Sequence, residues 1–175
     1  IDKKIGVVPE EKYRLLWGGG PPSWFALTDF NYFNSKGAVF PAETTYRMAE
    51  LIEELNLPKV SDPIEHLAWR WFKYWTFRYD KAKKRPGSHP DVERLIEYIE
   101  NYKIDGVVMH EAFSCRTWHL GLIWQLNLLK KVYRDIPSLI LESDIVDISS
   151  YSEADTHNRI DAFIETLESV KSKGR

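Results

Sequence analysis

The chain has 175 residues, 43% of them hydrophobic and 29% charged, a balance that excludes disorder and fibrous repeats and supports one domain with a substantial core. Its 24 Lys and Arg stand against 26 Asp and Glu, a formal net charge of -2, so it carries no electrostatic footprint for nucleic acid or an anionic membrane surface. No apolar run approaches the roughly 20 residues of a membrane span. A single cysteine excludes an internal disulfide framework and a metal site built from cysteines of this chain alone. A lone free thiol fits a reducing cytoplasm. The first residue is Ile and no basic leader with an apolar core follows it, so we expect a piece of a longer chain.

In chain order, Tyr13 to Trp17 is the first apolar stretch read as a strand, and it runs into Gly18-Gly19-Gly20-Pro21-Pro22. Ser23 to Asn34 reads as a short helix with Leu27, Phe30 and Phe33 on one side. Ala38 to Phe40 is a second strand, followed by Glu43. Met48, Leu51, Ile52 and Leu55 fall at i, i+3, i+4, i+7, a core-facing helical stripe. Pro58 and Pro63 mark a turn, and a helix is expected from Ile64 to about Lys84. Ser88 with Asp91 forms a capping box that opens the next helix, with Pro90 in its first turn. Val92, Leu95, Ile96 and Ile99 supply its buried face. Gly106 to Met109 is a third strand, Leu120 to Arg134 a helix, and Ser138 to Leu141 a fourth strand. Ser152 and Asp155 cap a last helix whose buried side is Ile160, Phe163, Ile164 and Leu167. The charged tail from Lys171 to Arg175 is expected to fray.

The strands are near-continuous apolar runs, as in parallel strands buried on both faces. Alternation of strand and helix then predicts an α/β fold: a parallel four-stranded sheet flanked by helices, a Rossmann/flavodoxin-like three-layer arrangement. We expect one domain over 1–175, with a helical insertion at about 57–102.

Such a sheet puts its binding crevice at the C-terminal ends of the strands, and all four ends here are polar or glycine-rich. The Gly18-Gly19-Gly20 turn does not match a dinucleotide fingerprint, and Pro21-Pro22 removes two donors a phosphate cradle would use. It is a plain tight turn or a ligand-approach loop. Glu43 is an acid, base or acceptor, or a solvated strand end. Cys115, preceded by Ser114 and followed by Arg116, lies about where a helix begins. A helix start and a guanidinium both favour thiolate, making Cys115 a nucleophile or a soft metal ligand; a small buried hydrophobe is the alternative. The Cys-x5-Arg phosphatase loop is excluded, because Gly121 occupies the arginine position. A nucleophilic cysteine would need His110 or His119 as base, and zinc on Cys115 and His119 would lack two ligands. Seven aromatics crowd Trp69 to Tyr79, more than one helix face can hold, which indicates core packing or a partner surface. The basic run Lys81, Lys83, Lys84 and Arg85 is a solvated helix end or faces an anion.

Several segments together resemble a known family: Asp105-Gly106-Val107-Val108; Ser114-Cys115-Arg116-Thr117-Trp118-His119-Leu120-Gly121; Ile136-Pro137-Ser138-Leu139-Ile140-Leu141-Glu142-Ser143-Asp144; and Arg159-Ile160-Asp161-Ala162-Phe163. Their order is similar to the C-terminal part of subunits in the 2-hydroxyacyl-CoA dehydratase and benzoyl-CoA reductase superfamily, including the 2-hydroxyglutaryl-CoA dehydratase D-component. Leu15 to Trp24 and Gly37-Ala38-Val39 are similar to the preceding part of the same family. The sequence has Thr117 and His119 where the motif carries Pro and Ser.

The resemblance implies an oxygen-sensitive, cytoplasmic enzyme of anaerobic metabolism built from two homologous subunits. Each holds a [4Fe-4S] cluster through three cysteines, two from an N-terminal domain and the third at the position of Cys115. An ATP-dependent activator or electron-donor protein would deliver one low-potential electron, for 2-hydroxyacyl-CoA dehydration through a ketyl radical or for ring reduction of a benzoyl-CoA. The resemblance implies Cys115 as the metal ligand and an acyl-CoA as substrate. Gly18, Gly19, Gly20, Trp24, Glu43, His110 and Arg116 are the expected substrate-binding residues. No catalytic acid or base is assigned. A cysteine-nucleophile enzyme and a non-catalytic interaction module remain as alternatives at this point.

Overall fold

The structure is a computed structural model and describes residues 6–45, 55–82 and 89–173. Four strands, β1 (Tyr13–Gly19), β2 (Ala38–Glu43), β3 (Gly106–Ala112) and β4 (Ser138–Ser143), form one sheet in the order β2-β1-β3-β4. All three pairings are parallel. Leu15 pairs with Gly106 and Val107 with Ser138, so the strand ends lie level across the β1, β3 and β4 edge.

Parallel strands need crossovers, and the helices supply them on both faces. Helices α1 (Thr28–Ser35) and α6 (Glu153–Ser172) cover one face, packing Phe33, Ile160, Phe163 and Leu167 onto Leu15, Trp17, Val108 and Leu141. Helices α3 (Pro90–Tyr102) and α5 (Leu122–Val132) cover the other, packing Val92, Leu95, Ile96, Leu126 and Leu129 onto Leu16, Val107 and Met109. Alternate residues of each strand therefore enter separate cores, which is why the strands read as continuous apolar runs. Gly106 lets α6 sit close to the sheet: a Cβ there would stand 2.8 Å from Leu167 and 2.9 Å from Phe163.

The predicted fold class is the observed one, with differences at the element ends. Each strand runs two or three residues further than its apolar stretch, because the ladder continues through the polar residues of the working edge. The expected helix from Ser23 is a 3-10 turn (Trp24–Ala26) followed by α1. The expected Leu120–Arg134 helix is two pieces, a single turn α4 (Arg116–His119) and α5, separated at Gly121, whose φ is +97°. Helix α2 (Pro63–Ala82) runs to the end of its described segment, and its expected limit near Lys84 lies outside the described residues. Helix α3 is capped by His89, whose side chain accepts from the Asp91 amide at 3.3 Å. The Ser152 cap of α6 forms as expected. The stripe residues Met48, Leu51 and Ile52, the cap residue Ser88 and the basic residues Lys83, Lys84 and Arg85 lie outside the described residues. Within α2, Tyr74 is buried, whereas Ile64, Leu67, Trp71 and Phe72 remain on the surface.

Candidate functional site at the carboxyl edge of the sheet

The order β2-β1-β3-β4 reverses direction between β1 and β3. The chain leaves β1 toward α1 on one face, and leaves β3 toward α5 on the other, so the loops diverge and leave a crevice at these two strand ends. The glycine turn forms one lip of it. Gly19 has φ +77°, the left-handed conformation that favours glycine. The Gly20 amide donates to the His110 carbonyl at 2.9 Å, and the Trp17 indole N–H donates to the Gly20 carbonyl at 3.0 Å. A Cβ on Gly19 would stand 2.4 Å from the His110 carbonyl oxygen, and one on Gly18 would stand 2.5 Å from Met109 Sδ. Close approach of β1 to β3 therefore accounts for both glycines.

His110 follows on β3, with its imidazole buried on the α1/α6 face, 5.9 Å from the Trp17 ring centre to centre. Its Nε2 lies 2.8 Å from Ser143 Oγ, which lies 2.8 Å from Ser23 Oγ. The Ser23 hydroxyl also donates to the Asp144 carbonyl at 2.5 Å. Burial pushes the His110 pKa down, so the ring is neutral at physiological pH.

The remaining expected residues are spread along the same edge. Cys115 is half-buried and ends the β3 loop, its amide donating to the Ala112 carbonyl at 3.1 Å. Only the single turn α4 begins at this thiol; α5 starts after the Gly121 break, so the dipole of the longer helix is not aimed at Cys115. Arg116 is exposed beside it. Glu43 turns back on its own loop, accepting from the Thr45 amide at 2.5 Å. Trp24 is 62% exposed and meets Phe25 edge-to-face, and Phe25 in turn meets Tyr151.

Two further residues, given no role from the sequence, are fixed at this edge. Asp144 closes the β4 loop by accepting from the Val146 amide at 2.7 Å and the Asp147 amide at 2.9 Å. Those amides and Ser114 hold its pKa down to about 2. The spacing Asp144-x-Val146-Asp147 was the available signal, since Asx turns take this form. Asp29, at the start of α1, is buried and accepts from the Tyr151 hydroxyl at 2.7 Å, and burial raises its pKa.

Exposed apolar side chains ring this edge: Trp24 and Leu27 after β1, Phe113, Leu120 and Ile123 after β3, Val146 after β4. Concentrated apolar surface around one crevice marks a place that another surface or ligand covers.

The chemistry available to Cys115 is narrowed by the imidazoles. His119 Nδ1 is 2.7 Å from Glu111 Oε1, and His110 Nε2 is bonded to Ser143, so the nitrogens with defined partners serve groups other than the thiol. Among the described residues no three His, Cys, Asp or Glu side chains gather to hold a metal ion. With one cysteine in the sequence, this chain offers an iron–sulfur cluster a single thiolate; three-cysteine ligation needs two from elsewhere.

The titration of His110 has a stability consequence. A base whose folded pKa is depressed loses stability as pH falls below its unfolded value of about 6.5. Melting temperature is expected to drop as pH goes from 7 to 5, and His110→Gln flattens this part of the profile. Asp29, with its raised pKa, acts oppositely and at lower pH: its contribution falls as pH rises through the interval above the ordinary carboxyl value. Thermal melts at stepped pH separate the two.

Fold and edge together define an open, doubly wound α/β domain with a thiol at its crevice rim. The sequence profile of 2-hydroxyglutaryl-CoA dehydratase, D-component matches residues 1–167, and the chain belongs to that family. It is 27% identical over 170 residues to one of the subunits of benzoyl-CoA reductase from Thauera aromatica, an alignment that takes in 95% of this chain. The chain spans 37% of the length of that relative. No helix among the described residues is long and apolar enough to cross a membrane.

Proposed function

We propose that this chain is part of an iron–sulfur subunit acting on acyl-CoA thioesters by low-potential single-electron transfer, with Cys115 as one thiolate ligand of a [4Fe-4S] cluster. The observation that carries the reading is the position of Cys115: half-buried, on the rim of the switch-point crevice, within the segment matched by the family profile. A cysteine sunk in either core could not reach a cluster shared with other ligands; one on this rim can. The two further cysteines are assigned to another part of the same subunit, consistent with the relative being much longer than this chain.

A bound cluster would supply the low-potential electron, and this chain's share is orientation, charge and exclusion of water. Arg116, exposed next to Cys115, places a fixed positive charge that lowers the cost of added electron density. Gly18, Gly19 and Gly20 form the lip over which an acyl group approaches. Trp24 offers an open indole face to it, and Glu43 and His110 complete the surroundings from β2 and β3. The exposed apolar ring on this edge suits coverage by the remainder of the subunit and by a homologous second subunit, with an ATP-dependent protein as electron donor. The cytoplasm is the compartment that fits a reduced thiol. The family is described by a dehydratase and the relative by a reductase, and either acyl-CoA class is compatible with this edge.

The test is made on the intact subunit, expressed and purified without oxygen. Its broad absorbance near 400 nm, characteristic of thiolate-bound iron–sulfur centres, and its bound iron are expected to fall sharply in Cys115→Ala. Iron content and absorbance equal to wild type in a folded Cys115→Ala subunit would remove Cys115 from the ligand set.

A further inference from the structure

Among the described residues the buried polar or charged side chains outside the aromatic core are Ser23, Asp29, His110 and Ser143, and three contacts of Ser23, Ser143 and His110 form an unbroken line. Running from β3 outward, the contacts are His110 Nε2 to Ser143 Oγ at 2.8 Å, Ser143 Oγ to Ser23 Oγ at 2.8 Å, and Ser23 Oγ to the Asp144 carbonyl at 2.5 Å. Each contact needs one proton. The two hydroxyls carry one each, and the carbonyl carries none. Two protons cannot serve three contacts, so the third must come from His110 Nε2–H.

The direction of every bond is then settled. The carbonyl end can only accept, so Ser23 donates to it; Ser143 donates to Ser23; His110 donates to Ser143. Nδ1 is left as the unprotonated nitrogen, and it has no hydrogen-bond partner among the described residues. Position 23 adds an independent sign. Ser23 stands at the N-cap of the 3-10 turn, where a serine hydroxyl ordinarily accepts from the helix amides, yet it makes no such bond. Its hydroxyl is turned across the crevice to β4 instead.

We propose that His110 is a positioning residue: as the neutral Nε2–H tautomer it anchors a one-way relay through Ser143 and Ser23 to Asp144. This relay pins the loop carrying Trp24 onto the loop after β4. The relay joins the ends of β1, β3 and β4 without using solvent-exposed groups, so it sets how Trp24 faces the crevice. Only in giving Trp24 an acyl-lining role does it rest on the function proposed above. The relay itself is a property of the metal-free chain, and its failure leaves the Cys115 assignment standing.

Nitrogen-15 spectra of the imidazole ring test it directly. The expected wild-type spectrum at pH 7.5 shows His110 protonated at Nε2 and bare at Nδ1; a wild-type ring protonated at Nδ1 alone overturns the proposal. The second readout is amide exchange at Ala26, whose N–H donates to the Ser23 carbonyl at 3.0 Å and so reports opening of the loop. Ser143→Ala and Ser23→Ala each cut the relay and are expected to speed that exchange about 5- to 10-fold. In Ser143→Ala the Nε2–H loses its acceptor, and the share of the Nδ1–H form is expected to rise. His110→Gln, whose terminal amide can replace the Nε2–H donor, is expected to keep exchange within about 2-fold of wild type, and His110→Leu to match Ser143→Ala. Exchange at the wild-type rate in folded Ser143→Ala and Ser23→Ala also overturns it.

Discussion

Replacing Phe33 by Ala is expected to cost about 3–5 kcal/mol of folding stability. Phe33 lies on α1 with no solvent exposure, and its ring stands edge-on to Phe40 with centres 5.0 Å apart. Phe40 in turn meets Phe30 and Trp17, so the truncated site is walled by aromatic rings that cannot easily collapse into the space left behind. The loss therefore has a transfer part and a cavity part. Urea unfolding followed by circular dichroism would read it as a lower midpoint with an unchanged slope. A change below about 1 kcal/mol would mean that α1 does not seal this face of the sheet.

Gly19→Ala is expected to destabilise by a comparable amount through a different mechanism. Holding a non-glycine residue at φ +77° costs about 1–3 kcal/mol, and the added Cβ would press on the His110 carbonyl, a backbone group with no rotamer to escape into. Relief requires the end of β1 to move off β3, which also strains the Gly20 amide bond to that carbonyl. Overpacking of this kind adds about 1–3 kcal/mol. Gly121→Ala is the control. Gly121 also has a left-handed φ, +97°, but a Cβ there meets nothing within 4 Å. It carries the conformational cost alone, so the difference between the two variants isolates the crowding at the crevice. Equal losses at both positions would show that β1 and β3 do not approach as closely as described.

These expectations bear on what the working edge is built to do. The glycine turn is not an open cradle of amides, since the Gly20 amide and carbonyl are engaged within the protein and two prolines follow. It brings two strand ends together tightly enough for the buried His110 relay to form beneath the loop. The part of the edge left open mixes apolar side chains such as Trp24, Phe113, Leu120 and Val146 with Ser114, Arg116, Glu142 and Asp147, so its exposed carboxylates offset the arginine. A surface of that composition suits an acyl chain or a covering domain better than it suits a phosphate.

The class of fold was legible in the sequence. Runs such as Leu15-Leu16-Trp17 and Val107-Val108-Met109 have no polar alternation, and only strands covered on both faces can tolerate that. The helix faces of α3 and α6 were legible for the same reason, because a 3.6-residue repeat of Val, Leu and Ile leaves one side to bury. The thiol at the end of β3 was legible as a candidate because strand ends in parallel sheets converge on one edge.

Three things required tertiary structure. The break at Gly121 was hidden because Leu120 to Arg134 is continuous in helical character; a left-handed glycine there ends one turn and starts another, and local propensity does not register it. The relay was hidden because Ser23 and Ser143 are 120 positions apart, and a serine in a sequence carries no mark of whether its hydroxyl meets water or another hydroxyl. Which side of the crevice His110 serves was undecidable for a related reason. Periodicity assigns a residue to a face, but the choice between its two ring nitrogens depends on protons counted across three separate loops, and only packing brings those loops together.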